Sequence, residues 1–193
     1  AIDGDWSALP TLPLIPGHEI TGHVAAHGEG VSEPAIGTAV GMPWMYSACG
    51  TCEFCLGGME TICEHRESTG YSKQGGYAEY MVAPAAFVAT IEPDVDLYAL
   101  APILCAGVTT YRGLMRSRAR PGQWVAVMGI GGLGHVAVQY AIAMGLRVAA
   151  IDVGADKLEL ARSYGAECLI NALDNPVETL RQQIPGGVHA VLV

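Results

Sequence analysis

The sequence predicts an α/β-plus-β protein in two parts: a β-rich, barrel-like amino-terminal part, then the first half of a doubly wound parallel sheet. Short strand-like segments separated by glycine and proline turns fill the first half of the chain. From Trp124 onward, apolar strand patterns alternate with helical patterns as far as Val193. Hydrophobic residues make up 51% of the chain and charged residues only 15%, so it can bury a sizeable core.

In the amino-terminal part we predict short strands on either side of a loop rich in glycine and cysteine. The loop occupies residues 47–63, and turn residues separate the strands around it. Beyond the last strand, Asp96 precedes apolar residues at helical spacing, which predicts a helix with Asp96 as its N-cap. The predicted strands cover residues 22–26, 37–42, 76–82 and 87–91.

The carboxy-terminal part alternates strands and helices after a turn at Pro121-Gly122. Its strands are short and apolar, which is typical of a parallel sheet covered on both faces. The chain stops inside the last predicted strand and starts in what resembles a domain interior, so we expect a fragment cut at both ends. The predicted elements are strand 124–128, helix 132–144, strand 147–151, helix 155–164, strand 167–170, helix 174–184 and strand 188–193.

A glycine-rich turn lies at the start of this alternating region. Gly129, Gly131 and Gly134 fit the pattern G-x-G-x-x-G, with Gly132 and Leu133 between the last two. A strand precedes the pattern and a helix follows it, the setting in which such a turn holds a dinucleotide pyrophosphate at the helix amino terminus. The candidate cofactor-binding residues therefore begin with these five.

Asp152 ends the next predicted strand, 18 residues after Gly134. An acid about 20 residues beyond the glycine pattern typically binds the ribose 2′-hydroxyl. It would repel a 2′-phosphate, and no arginine directly follows it, so the pattern favours NAD over NADP. The alternative is a tight strand–helix turn that binds no nucleotide.

Four cysteines in the loop have the spacing of a metal site. Cys49, Cys52, Cys55 and Cys63 form C-x2-C-x2-C-x7-C, and four thiolates suit a tetrahedral zinc ion. An iron–sulfur cluster is the main alternative, but ferredoxin spacing brings the fourth cysteine closer and follows it with proline. Unligated thiols are a third possibility. Since sulfur fills all four positions, we expect a structural zinc site with no open coordination position.

His18 and Cys105 also have metal-ligand chemistry, but each is ambiguous alone. A histidine between glycine and glutamate is more often a hydrogen-bonded structural residue. A single cysteine beside a helix is as easily a small buried apolar side chain. Only the combination of motifs gives them a shared interpretation.

Three motifs in collinear order carry a resemblance to a known family: Gly17-His18-Glu19 followed by Gly22, the four-cysteine loop, and residues 104–109. Together they resemble the zinc-containing medium-chain alcohol dehydrogenases, with the greatest likeness to the bacterial, propanol-preferring, NAD-dependent branch. The resemblance implies a GroES-like catalytic domain over residues 1–107, including the structural zinc lobe 47–63. It also implies a partial NAD-binding Rossmann domain over residues 108–193.

The same resemblance implies roles for individual residues. His18 and Cys105 match two of the three protein ligands of the catalytic zinc, and Glu19 matches the adjacent glutamate that can approach the metal. The third ligand and the proton relay belong to a motif upstream of Ala1. Among the remaining matches, Trp44 lines the substrate cleft, Thr109 contacts the nicotinamide side, and Lys157 helps to hold the adenosine ribose.

The activity implied by the resemblance is oxidation of primary or secondary alcohols to aldehydes or ketones, with hydride transfer to NAD. The implied assembly is a homodimer or homotetramer. We expect the fragment alone to be weakly active or inactive. Polyol or formaldehyde dehydrogenases share the same plan. The alternatives outside the enzyme class are a non-catalytic NAD-binding protein that keeps only the structural zinc and, less favoured, an iron–sulfur electron carrier.

The bulk composition excludes several classes of partner. The formal net charge is −9, which argues against nucleic acid or an anionic membrane surface. The longest apolar stretch is too short to span a bilayer, and we identify no secretory signal pattern. We therefore expect a cytoplasmic protein, whose reduced cysteines serve as ligands.

Overall fold

The computed structural model describes residues 9–193, so the first eight residues of the predicted amino-terminal domain lie outside the described part. The chain divides into two units, Ala1–Cys105 and Ala106–Val193. None of the described helices is long and apolar enough to cross a membrane.

The first unit contains a three-stranded antiparallel sheet and a two-stranded one. The larger sheet has the order β1-β2-β5, and β3 pairs with β4. In the larger sheet, Ile20 of β1 lies opposite Met42 of β2. The strands are β1 Ile20–His23, β2 Ala39–Met42, β3 Met45–Ser47, β4 Glu67–Ser68 and β5 Ala89–Thr90.

Short helices connect these strands. The α-helices are α1 Glu53–Leu56 and α2 Leu97–Leu100, and 3₁₀ helices cover Glu60–Ile62, Ala85–Phe87 and Ala101–Leu104. The predicted N-cap is confirmed: the Asp96 side chain accepts hydrogen bonds from the N–H groups of Tyr98 and Ala99. Because Pro102 has no N–H to donate, α2 ends early and the chain continues as a 3₁₀ helix.

One predicted strand in this unit is wrong. Residues 76–82 form bends and irregular chain instead of a strand, and Tyr77, Tyr80 and Val82 are exposed. The alternating pattern is present, but a strand also needs a continuous ladder partner. Within the described part of the chain, only Gly76 and Tyr77 of this segment donate backbone hydrogen bonds, to the segment before β1.

The second unit is a four-stranded parallel sheet with helices on both faces. Its strand order is β8-β7-β6-β9, so the first strand of this unit is central and the chain winds outward in both directions. The predicted doubly wound sheet is confirmed. The elements are α3 Ala106–Ser117, β6 Trp124–Met128, α4 Gly134–Ala143, β7 Arg147–Asp152, α5 Ala155–Ser163, β8 Cys168–Asn171, α6 Pro176–Gln183 and β9 Ala190–Leu192.

Alternate residues of the central strands face two separate cores. Val125 and Val127 pack with Val138 of α4 on one face, while Ala126 packs with Ile184, after α6, on the other. The period of two in a strand produces this division. Both faces are apolar, so the strands appear in the sequence as continuous hydrophobic runs. Because the four strands are parallel, their carboxyl ends lie at one edge of the sheet, and the glycine turn after β6 lies there too.

Candidate metal and nucleotide sites

The four loop cysteines have the geometry of a single tetrahedral metal site. Cys49 Sγ lies 3.8 Å from Cys55 Sγ and 3.6 Å from Cys63 Sγ, and Cys52 Sγ lies 3.5 Å from Cys55 Sγ. A zinc–sulfur bond of about 2.3 Å gives a tetrahedron edge of about 3.8 Å. A disulfide would need about 2.05 Å, and all four cysteines are free. The cluster therefore fits one zinc ion.

An iron–sulfur cluster does not fit this spacing. The four cysteines of such a cluster are shared between at least two iron atoms joined by bridging sulfide, so some of their Sγ atoms must lie farther apart than around one ion. Here all four Sγ atoms lie within 4.8 Å of one another. The distances thus favour the structural zinc site over the alternative that the spacing left open.

The loop reaches this geometry through two short helices. Cys52 is the N-cap residue of α1, and Cys55 lies within it. The 3₁₀ helix Glu60–Ile62 then ends at Cys63, whose side chain is fully buried. At the base of the loop, Ser47 donates a hydrogen bond of 2.8 Å to Glu67 and so joins β3 to β4.

Two of these thiols have pKa values shifted in opposite directions. The backbone N–H groups of Thr51 and Cys52 lower the pKa of Cys49 to about 5, because they stabilise the thiolate. Burial raises the pKa of Cys55 to about 12. Since zinc takes cysteine as thiolate, metal binding at this loop must release at least the Cys55 proton.

A second cluster lies in the same unit. His18 Nε2 is 3.2 Å from Cys105 Sγ, although the two residues are 87 positions apart. This is less than the sum of a zinc–nitrogen and a zinc–sulfur bond, about 4.4 Å, so one ion can contact both atoms. A carboxylate oxygen of Glu19, whose side chain is exposed, lies within 4.8 Å of them.

In residues 9–193, these two clusters are the only groups of three or more histidine, cysteine or acidic side chains close enough to share an ion. The imidazole, the thiol and the carboxylate of the second cluster are ligands that zinc accepts. The described residues thus supply three donors to an ion that zinc sites usually hold with four.

Aromatic rings flank the histidine of this second cluster. The Trp44 ring meets the His18 ring edge-on, with centroids 5.0 Å apart, and Tyr71 lies 6.1 Å beyond Trp44. Trp44 is half-buried and directly follows β2 and Pro43. The tryptophan is therefore placed to form one wall beside any ligand held at His18.

Each glycine of the nucleotide pattern has a separate structural task. Gly129 adopts φ +86° and makes the tight turn after β6. A side chain at Gly131 or Gly132 would meet nothing within 4 Å, whereas one at Gly134 would overlap the carbonyl oxygen of Gly129. This matches the division of such motifs into a turn residue, an open approach for phosphate and a close packing position.

A cavity of about 590 Å³ lies beside this turn in the second unit. Thr109, Gly129, Leu133 and Gly134 line it together with residues 189–193. Gly131, Gly132, Asp152 and Lys157 do not line it, so the structure brings together only part of the predicted nucleotide set there.

Asp152 holds the glycine turn from the end of β7. Its Oδ2 accepts a hydrogen bond of 2.6 Å from Ile130 N–H, and its Oδ1 accepts one of 2.8 Å from Gly154 N–H. Lys157 Nζ is 3.8 Å from Oδ1. The Gly154 N–H holds the pKa of Asp152 below its ordinary value, with help from Ile130 and Lys157 and against the effect of burial. A carboxylate has about four acceptor positions, so these two hydrogen bonds leave acceptor positions unused.

Asp152 should contribute measurably to acid stability. Its folded-state pKa lies below the unfolded value of about 3.9, so its contribution is fully present above about pH 5 and is lost as pH falls through about 4 toward the folded-state pKa. We expect Asp152→Asn to lower the free energy of unfolding by about 1.5–3 kcal/mol at neutral pH and to flatten the acid slope. Urea unfolding at several pH values measures both. The exposed Asp174→Asn is the control, and an equal loss in that variant would contradict the role of the turn.

One segment near the second cluster was not predicted to matter. Residues 69–77 pack on the backbone just before His18. Apart from the start of the strand predicted at residues 76–82, their sequence signal is three glycines, at 70, 75 and 76.

Comparisons with known proteins find relatives of both parts of the chain. A model of the alcohol dehydrogenase GroES-like domain matches residues 1–93, and a model of the zinc-binding dehydrogenase matches residues 132–193. A curated alcohol dehydrogenase from Geobacillus stearothermophilus is 55% identical over 193 residues, which is the whole of this chain and 57% of the relative. The chain thus spans a little over half the length of that relative.

Solved structures show the same likeness. The alcohol dehydrogenase of the archaeon Aeropyrum pernix superposes with a TM-score of 0.84 at 34% identity, over 94% of this chain and 55% of its own. A cobalt- and zinc-bound alcohol dehydrogenase from Pyrobaculum aerophilum gives a TM-score of 0.77 at 34% identity, over 84% of this chain and 50% of its own. With one family model matching within each unit and these relatives alongside, the chain belongs to the zinc-containing medium-chain alcohol dehydrogenase family.

Proposed function

We propose that this chain carries the metal and nucleotide sites of an NAD-dependent, zinc-dependent alcohol dehydrogenase acting on small primary or secondary alcohols. The observation that carries the proposal is the approach of His18 Nε2 to within 3.2 Å of Cys105 Sγ. A purely structural protein has no need of an imidazole and a thiol converging with open positions beside them.

Each candidate residue has a role in this proposal. His18 and Cys105 hold the catalytic zinc, with Glu19 close enough to approach it, and Trp44 forms a wall of the alcohol site. Zinc, when bound, supplies Lewis acidity at the alcohol oxygen, and NAD accepts the hydride. We assign the structural zinc to the four loop cysteines. We assign the catalytic domain to residues 1–107 and the nucleotide-binding domain to residues 108–193.

The nucleotide half of the proposal rests on the second unit. Gly131 and Gly132 leave open space where a pyrophosphate can approach the backbone. Asp152, with Lys157 beside it, accepts from the ribose hydroxyls and disfavours a 2′-phosphate. Thr109 lines the same cavity as the glycine turn and is assigned to the nicotinamide side. These features support NAD as the cofactor.

Removing either convergent ligand should abolish activity without affecting the cysteine site. For the protein at its full length, we expect His18→Ala and Cys105→Ser to lower kcat/KM for ethanol or propanol by about 1,000-fold. Each substitution weakens the binding of a zinc ion that stabilises the transition state by several kcal/mol. Zinc per chain should fall from two to one. NADH absorbance and metal analysis are the measurements.

His23→Ala is the matched control, because His23 is an exposed histidine at the end of β1. The control should keep both zinc ions and full activity. If His18→Ala retains two zinc ions and wild-type turnover, the proposed function is wrong.

The second candidate is a non-catalytic NAD-binding protein that retains only the structural zinc. It predicts one zinc per chain in the wild type and no change on replacing His18. The convergence of His18 with Cys105 favours the enzyme over this alternative.

We also propose a cytoplasmic location and a homodimeric or homotetrameric assembly. All six cysteines are free, and four of them form one cluster, as expected for thiols kept reduced in the cytosol. The assembly follows from the family resemblance, and light scattering of the purified protein measures it.

A further inference from the structure

A glycine-containing segment supports the backbone that leads into His18. We name residues 69–77 the glycine loop; it follows β4 and contains Gly70, Gly75 and Gly76. The residues before His18 include Pro13 and Pro16, which have no N–H and cannot complete a regular strand ladder. We name residues 13–17 the approach segment; it therefore needs hydrogen-bond partners from elsewhere in the unit.

The glycine loop supplies these partners from its backbone. Gly75 N–H donates to the carbonyl of Ile15 at 2.7 Å, and Tyr77 N–H donates to that of Pro16 at 3.0 Å. Gly76 N–H donates to the Gly17 carbonyl at 3.2 Å. Three consecutive donors thus reach three consecutive carbonyls that end one residue before His18.

One side chain adds two further bonds to the same segment. Gln74 Oε1 accepts a hydrogen bond of 2.6 Å from Ile15 N–H, and Gln74 Nε2 donates one of 3.1 Å to the Pro13 carbonyl. Both ends of a single amide are therefore committed to the approach segment.

The glycines allow the two segments to lie in direct contact. A side-chain carbon built on Gly70 would lie 2.6 Å from the Gly17 carbonyl oxygen. One built on Gly75 would overlap the same oxygen and lie 2.6 Å from that of Pro16. Any larger residue would push the approach segment away.

The same loop also reaches the aromatic wall. Thr69 N–H donates a hydrogen bond of 2.8 Å to the carbonyl of Trp44, whose ring meets the His18 imidazole edge-on at 5.0 Å. His18 is thus flanked on one side by backbone that Gln74 holds and on another by a ring whose main chain Thr69 holds.

We propose that Gln74 is a positioning residue for His18: by fixing residues 13–15 it sets the direction from which the imidazole approaches the metal. This inference rests on the function proposed above, because it concerns the same zinc site. Residues that orient metal ligands typically change metal affinity about 10- to 100-fold when they are replaced.

The test compares two zinc sites in the same molecule, in the protein at its full length. Gln74→Ala should weaken the second, His18-dependent zinc about tenfold in a chelator competition, while the cysteine site keeps its affinity. Gln74→Glu retains the acceptor for Ile15 N–H but sets a carboxylate oxygen against the Pro13 carbonyl in place of the donor, so it should not restore the wild-type affinity. A general loss of stability would instead lower the zinc affinity of both sites alike.

The matched control is Gln139→Ala, which removes a surface amide that donates to the His135 carbonyl in the second unit. It should leave both zinc affinities unchanged. Equal affinity for the second zinc in Gln74→Ala and the wild type overturns the positioning role.

If the wild type holds no zinc that depends on His18, the proposed function fails instead. Amide hydrogen exchange at residues 17–20 then still decides the role of Gln74. Faster exchange in Gln74→Ala, and not in Gln139→Ala, supports a positioning role for Gln74, whereas equal exchange overturns it.

Discussion

Replacing Cys63 with serine is expected to cost the protein its structural zinc and the order of the cysteine loop. Structural zinc sites bind with about 10–16 kcal/mol in isolated peptides, so one of four ligands accounts for roughly 3 kcal/mol. We therefore expect zinc affinity at this site to fall about 100- to 1,000-fold. Cys63 is fully buried, and a hydroxyl there is a poor substitute for a thiolate.

The loss of metal should be local at first and measurable in two ways. Competition with a zinc-sensitive chelator gives the affinity, and limited proteolysis reports the loop, where Leu56 is exposed even in the folded protein. Cleavage within residues 47–63 should become much faster, while the parallel sheet of the second unit keeps its protection. Removing zinc from the wild type with a chelator should reproduce the same cleavage pattern.

Cys168→Ser provides the control for the substitution itself. Cys168 is also buried, but it lies in β8 outside both clusters and donates to Gln183 Oε1 at 3.1 Å. A serine keeps that donor, so this variant should bind as much zinc as the wild type. If Cys63→Ser kept its zinc and resisted proteolysis like Cys168→Ser, the tetrahedral site would be disproved.

Local patterns predicted the second unit well because its structure is determined by nearby residues. The strand around Val125 was recognisable as a continuous apolar run, and both faces of the sheet are buried. The ends of the predicted strands and helices differ from the observed ones by at most two residues. The helix α3 was not predicted, since its buried positions include the small residues Ala106 and Gly107, which give little periodic signal.

The first unit was harder because its contacts are long-range. The spacing of the four cysteines identified their cluster, since all lie within one loop. His18 and Cys105 are 87 positions apart, and only a family resemblance suggested that they share an ion. The strand predicted at residues 76–82 failed for the same reason: its pattern carries no information about whether a partner lies beside it.

The glycine turn allows folding and nucleotide binding to be separated by two alanine substitutions. Gly134→Ala should destabilise the second unit, because the added carbon would overlap the Gly129 carbonyl oxygen. Backbone must move to relieve this contact, and we expect a loss of about 2–4 kcal/mol in the free energy of unfolding. Gly131→Ala adds its carbon to open space and should change stability by less than about 1 kcal/mol.

The effects on NADH affinity should follow a different order. If the pyrophosphate approaches the backbone at Gly131, the added methyl group occupies that position, and affinity should fall at least tenfold although the protein remains folded. Fluorescence titration with NADH and urea unfolding of the same samples measure the two quantities. A Gly131→Ala variant that binds NADH like the wild type would move the phosphate site away from this turn. If Gly134→Ala were as stable as the wild type, the packing of Gly134 against the Gly129 carbonyl would not be needed for the stability of the second unit.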